Sequence, residues 1–112
     1  MADFKCLERL ILEHNRFANN DILFLLSLIP KLRHCSLAHN FLTTIPPESC
    51  QNEGFRCLDT LDISFNYFSR EEDLMPLVNL YRIESVMCYG NPLLGNLDLT
   101  LLIKEVLSTC TI

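Results

Sequence analysis

Residues 58–68 read LDTLDISFNYF, with apolar residues at the first, fourth, sixth and eleventh places and an asparagine at the ninth. The alternation of Leu61 and Ile63 with Thr60, Asp62 and Ser64 has the two-residue period of a strand with one buried face. The same pattern returns without gaps as LERLILEHNRF at 7–17, LRHCSLAHNFL at 32–42 and IESVMCYGNPL at 83–93. Asn15, Asn40, Asn66 and Asn91 lie 25, 26 and 25 residues apart, and each is followed two places later by Phe17, Leu42, Phe68 or Leu93. One copy is too short to bury its own apolar side. Stacked as parallel strands, the copies place Leu10, Cys35, Leu61 and Val86 in one internal column and Leu12, Leu37, Ile63 and Cys88 in the next. A free cysteine behaves as a small hydrophobe, so Cys35 and Cys88 suit a buried column.

The returns between copies differ in character. Residues 20–31 offer Asn20 or Asp21 as a cap, with Ile22, Leu25, Leu26 and Ile29 at helical spacing. Residues 69–80 open with Ser69 and Glu72 at capping-box spacing, and Pro76 favours short 3₁₀ turns that carry Leu74, Leu77, Leu80 and Ile83 inward. The middle return holds Pro46, Pro47 and Gly54 and reads as an irregular path with Ile45 and Phe55 buried. After Tyr89, Gly90, Asn91 and Pro92 the pattern becomes helical, with Leu97, Leu101, Val106 and Leu107 on one side. The expected organisation is a single domain over 1–112, with repeats at about 7–31, 32–57, 58–82 and 83–99 and a capping helix at about 100–110.

These spacings resemble the leucine-rich-repeat family, whose repeats place leucine-type residues at offsets 0, 3, 5 and 10 and asparagine at offset 8. The resemblance covers nearly the whole chain. It implies an α/β solenoid, a short horseshoe with four parallel strands on its concave face and irregular or helical convex returns. It also implies that Asn15, Asn40, Asn66 and Asn91 form a ladder bonded to the backbone of the turns, where unpaired buried groups would each cost about 1–3 kcal/mol. Within the family, SLAHNFLTTIPPE, EEDLMPLVNL and VMCYGNPLLG are similar to the repeat region of X-ray radiation resistance-associated proteins. That similarity implies a cytoplasmic and nuclear role in the response to X-rays and DNA damage, with this chain as part of a longer protein.

Composition narrows the function classes. The chain has 112 residues, 49% hydrophobic and 21% charged, an ordinary globular balance. Nine Lys and Arg against fourteen Asp and Glu give a net charge of −5, which disfavours phosphate-neutralising nucleic-acid binding. The start, MADFKCLERL, has no secretory-signal pattern, so an intracellular protein with reduced thiols is expected. The longest apolar run, 22–29, is far short of the ~20 residues that span a bilayer, so no membrane span is expected. None of the six cysteines makes a C-x-x-C pair, which removes the usual zinc and redox spacings.

The outward strand positions hold the candidate chemistry. Ile11, Phe65, Met87 and Tyr89 are apolar or aromatic where folding does not require it, and such residues are enriched at interface cores. With Glu13, His14, His39 and Asp62 they form the expected partner-binding surface; single exposed apolar residues are also common on non-binding surfaces. His14 and His39 stand one repeat apart, yet two nitrogens alone make a poor metal site. Ser36, His34 and Asp62 share neighbouring columns, but an open sheet provides no oxyanion hole. The expectation is a non-catalytic protein-binding module with no cofactor and no metal, its partner unidentified. The alternative is a structural fragment or short isoform of a larger repeat protein, without binding activity of its own. Because little precedes Leu7, the first strand is expected to be an open edge, prone to self-association.

Overall fold

The computed structural model describes residues 4–18, 21–80, 82–95 and 110–111. Strands β1 (Arg9–Ile11), β2 (His34–Ser36), β3 (Thr60–Asp62) and β4 (Ser85–Met87) lie side by side in one parallel sheet. The register follows the repeat: Leu10 faces Cys35, Cys35 faces Leu61 and Leu61 faces Val86. A fifth strand, β5 (Cys110–Thr111), pairs parallel with β4, so that Cys110 stands in a strand at the end of the expected capping segment. The remainder of that segment, 100–109, lies outside the described residues, as do Asn20, Leu97, Leu101, Val106 and Leu107.

Strands β1 to β4 are each only three residues long, and hydrogen bonding continues past them into the turns. Leu37 N–H donates to the Asp62 carbonyl and His39 N–H to that of Ser64, and the next pair of repeats repeats this at Ile63 and Phe65. The inward columns are closed off: Cys35, Leu61 and Val86, and likewise Leu37, Ile63 and Cys88, are buried, together with Leu42, Phe68 and Leu93. Their first-repeat counterparts Leu10, Leu12 and Phe17 are only half-buried, since among the described residues nothing stacks on their outer side. Burial contributes roughly 1.5–3 kcal/mol per large apolar side chain before chain entropy is charged, so the three inner repeats carry most of the core.

The first return forms helix α1 (Asp21–Ser27), but its buried stripe is Leu23, Leu26 and Ile29. Leu25 is exposed and Ile22 half-buried, contrary to the expected spacing, because the buried face of α1 runs through Leu23, Leu26 and Ser27, three and four residues on from Leu23. The middle return is extended to Pro46 and then makes a 3₁₀ turn, Pro47–Cys50, with Ile45 and Phe55 buried. The third return is two 3₁₀ segments, Glu71–Asp73 and Met75–Asn79. Its cap sits one residue later than Ser69 and Glu72 suggested: Asp73 Oδ2 accepts from Arg70 N–H at 3.2 Å and Oδ1 from the Arg70 guanidinium at 3.2 Å. Asp73 is buried there and Glu72 exposed, so the carboxylate that can be withdrawn from water is the one that caps.

Burial among apolar neighbours pushes the Cys35 thiol up to about 12, which leaves almost no thiolate near neutral pH. Cys6 is exposed and Cys57 half-buried. Native alkylation with iodoacetamide followed by peptide mass mapping is expected to label Cys6 and spare Cys35 and Cys88; prompt labelling of Cys35 would contradict its packing.

Candidate interaction face

The outward positions of the strands and the turns that follow them form one surface. On β1 and β4, Ile11 is half exposed and Met87 half-buried, and they line the same shallow hollow of about 200 Å³ with Arg9, Glu13, His34, Ser36 and Asp62. Several of its polar residues are engaged by one another or by neighbours outside it. Ser36 Oγ donates to Glu13 Oε2 at 2.6 Å, and Asp62 Oδ1 accepts from Ser64 N–H at 2.9 Å, a local turn bond that fixes the chain leaving β3. His34 Nε2 lies 3.7 Å from Asp59 Oδ1, and Arg33 donates to the other oxygen of the same carboxylate at 3.0 Å. Ser36 is thus bonded to Glu13 and His34 is drawn to Asp59, so the Ser36, His34 and Asp62 grouping contains no nucleophile and base pair.

Past the strands, His14, His39 and Phe65 adopt left-handed backbone, with φ of 58°, 58° and 57°, and Gly90 follows at 68°. This region costs an ordinary residue roughly 1–2 kcal/mol, and a phenylalanine there is unusual. The turn requires it in every repeat, and ring stacking offsets part of the cost. The His14 and His39 rings stack at 4.2 Å and 13°, and the His39 and Phe65 rings at 4.5 Å and 10°. Each such pair contributes about 0.5–1.5 kcal/mol. Gly90 ends the column because a Cβ there would lie 2.3 Å from the Phe65 ring. Stacked imidazoles present their in-plane nitrogens side by side rather than converging on a point. No group of three His, Cys, Asp or Glu among the described residues is placed to hold a metal ion.

Two places further on, Phe41 and Tyr67 make a second stack at 5.8 Å, both about half exposed, and Tyr89 adds an exposed ring on the strand side. Phe41 and Tyr67 were not among the candidate residues, although their signal is present: the ninth offset repeats an aromatic in the second and third copies. The eight candidates therefore form a hollow across the face of β1 to β4 and an aromatic edge along the turns. Wider hollows on other sides, near Phe24 and Glu48 or near Arg33 and Arg82, are open and mixed in polarity and bring no such cluster together.

Between the two aromatic rows lie the asparagines. Asn66 Nδ2 lies within 3.0–3.2 Å of the carbonyls of Leu37, Ile63 and Ser64, while its Oδ1 accepts from Leu42 N–H at 2.9 Å. Asn40 does the same with the carbonyls of Leu12, Leu37 and Ala38 and with Phe17 N–H. Asn91 donates to the Ile63 and Cys88 carbonyls and accepts from Asn66 N–H and Phe68 N–H. Each side chain thus joins its own turn to the preceding repeat. Asn15 is exposed and bonds only within its own turn, to the carbonyls of Leu12 and Glu13.

No protein-family model matches this sequence, and no curated protein does. Among solved structures, the chain is similar to one in the crystal structure of the Drosophila melanogaster SNF/U2A′ complex, in which U2A′ is a leucine-rich-repeat protein. The TM-score is 0.79 at 18% identity; the match covers 99% of this chain and 61% of that one. At that identity the likeness speaks to fold, and together with one parallel sheet of five strands, one more than the four expected, it gives this chain an α/β, leucine-rich-repeat-like architecture.

Proposed function

We propose that this chain is a non-catalytic protein-binding module of leucine-rich-repeat type that takes up a partner segment along the sheet face and its aromatic edge. The observation that carries this reading is the exposure of Ile11, Phe65, Tyr67 and Tyr89, each 41–52% exposed, along the sheet face and the turns that follow it. Rigid aromatic rings of this kind supply contact area at little entropic cost. The presence of a similar fold in a protein complex agrees with it. The binding surface comprises Ile11, Glu13, His14, His39, Asp62, Phe65, Met87 and Tyr89. The wider setting that accompanies the reading is the cytoplasm or nucleus; the comparisons give no support to the resemblance to X-ray radiation resistance-associated proteins. No described helix is long and apolar enough to cross a membrane.

The test is cross-linking capture from cell extract with wild type and with Tyr89→Ala and Phe65→Ala. Both variants are expected to lose a specifically captured protein while unfolding within a few degrees of wild type. Capture that survives both changes would contradict the reading. The second reading, a structural segment of a longer repeat protein, draws on the half-buried first repeat. It predicts no capture by this chain alone.

A further inference from the structure

The outer edge of β1 is unpaired among the described residues, and its chemistry specifies an occupant. Leu12 N–H donates to the Ser36 carbonyl, and the Glu8 carbonyl accepts from His34 N–H. Backbone groups of alternate residues in a strand face opposite edges. Residues 8, 10 and 12 therefore direct theirs toward β2, and Arg9, Ile11 and Glu13 direct theirs to the open side. On the sheet face those same three side chains read positive, apolar, negative. On the core face Leu10 and Leu12 remain half-buried, whereas every counterpart in the next three repeats is closed off.

We infer that this edge is a self-complementary docking site for a second copy of the chain, paired antiparallel about a two-fold axis at Ile11. Reversing the segment Arg9–Glu13 against itself sets Ile11 opposite Ile11, Arg9 opposite Glu13 and Leu10 opposite Leu12. In that register the outward N–H and C=O of Ile11 and of the Arg9 and Glu13 pairs meet their counterparts, the geometry of hydrogen-bonded antiparallel pairs. The two opposite-charge pairs lie on the exposed face, and the leucines complete each other's core columns. The Glu13 carboxylate accepts from Ser36 Oγ at 2.6 Å on that same face through one oxygen, Oε2, so reaching the facing arginine uses Oε1 or a swing of the side chain away from β2. A closed two-fold arrangement uses up both edges at once and stops at two copies, and it makes the two sheets one surface. Ile11 then sits at the centre of the joint surface.

The test is sedimentation of the purified chain across a concentration series, with circular dichroism and thermal unfolding of every variant as the control on folding. Wild type is expected to be a dimer that dissociates on dilution. Arg9→Glu alone and Glu13→Arg alone each place like charges in both symmetric pairs and are expected to weaken dimerisation at least about tenfold. The double reversal Arg9→Glu with Glu13→Arg restores opposite charges and is expected to restore dimerisation. Ile11→Lys, on an exposed side chain, is expected to give a folded monomer. Wild type that stays monomeric at every concentration would overturn the inference. So would a dimer insensitive to the single reversals, a double reversal that does not rescue, or mass that grows past two copies as in head-to-tail pairing. None of these readouts depends on a binding partner, so they are independent of the proposed partner-binding function.

Discussion

Asn66→Leu is expected to lower stability by about 2–4 kcal/mol, a large share of what a domain this size possesses. The loss follows from the bonds the side chain makes. Leucine is nearly the same size, so little cavity opens, but the Leu42 N–H loses its acceptor in a place from which water is excluded, while the Leu37 and Ile63 carbonyls each lose one donor and keep another, from Asn40 and Asn91 respectively. The orphaned N–H costs about 1–3 kcal/mol, and each bond lost from a carbonyl that keeps another donor about 0.5–1.5 kcal/mol. Asp62→Leu removes one local bond to Ser64 N–H from a half-buried site and is expected to cost about 1 kcal/mol. Asn15→Leu, on the exposed first rung, should cost less than Asn66→Leu as well. Urea unfolding followed by circular dichroism ranks the three; equal midpoints for Asn66→Leu and Asp62→Leu would remove the asparagines from any special role.

The second large effect concerns the core column. Leu61→Ala is expected to cost about 3–4 kcal/mol, since Leu61 is fully buried between Cys35 and Val86 and the strands on both sides resist collapse into the space. Leu10→Ala removes the same atoms at the equivalent place in the first repeat, where the side chain is half-buried, and is expected to cost about 1 kcal/mol. The comparison holds chemistry and repeat position constant and varies only whether a neighbour stacks on each side. Similar costs would mean that the first repeat is packed as tightly as the third.

The strand register was legible because it depends on nothing but spacing. A period of 25 or 26 residues with asparagine at a fixed offset aligns Arg9 with His34, Thr60 and Ser85, as observed. The burial of Ile45, Phe55, Leu74, Leu77 and Leu80 followed from apolar side chains among turn formers. Local geometry was less legible. Apolar residues at 22, 23, 25 and 26 leave the rotation of α1 open, and it turns Leu23 rather than Leu25 inward; the cap falls on Asp73 rather than Glu72 because the turn opens at Arg70 rather than Ser69. The ring stack of His14, His39 and Phe65 was hidden because none of these residues advertises a left-handed backbone. Only Gly90, in the same column, carries that signal. Reading the offset as a column, with one glycine revealing the conformation of three neighbours, would have found it.

Amide hydrogen exchange measured residue by residue on the native chain tests the stacked, asparagine-closed architecture most directly. Leu42 N–H is bonded to the side chain of Asn66, and Phe68 N–H to that of Asn91. Both are expected to exchange as slowly as Leu37 and Ile63 on the sheet ladder, opening only with global unfolding. Leu42 and Phe68 amides that exchange at the rate of an open loop, while Leu37 and Ile63 stay protected, would contradict it.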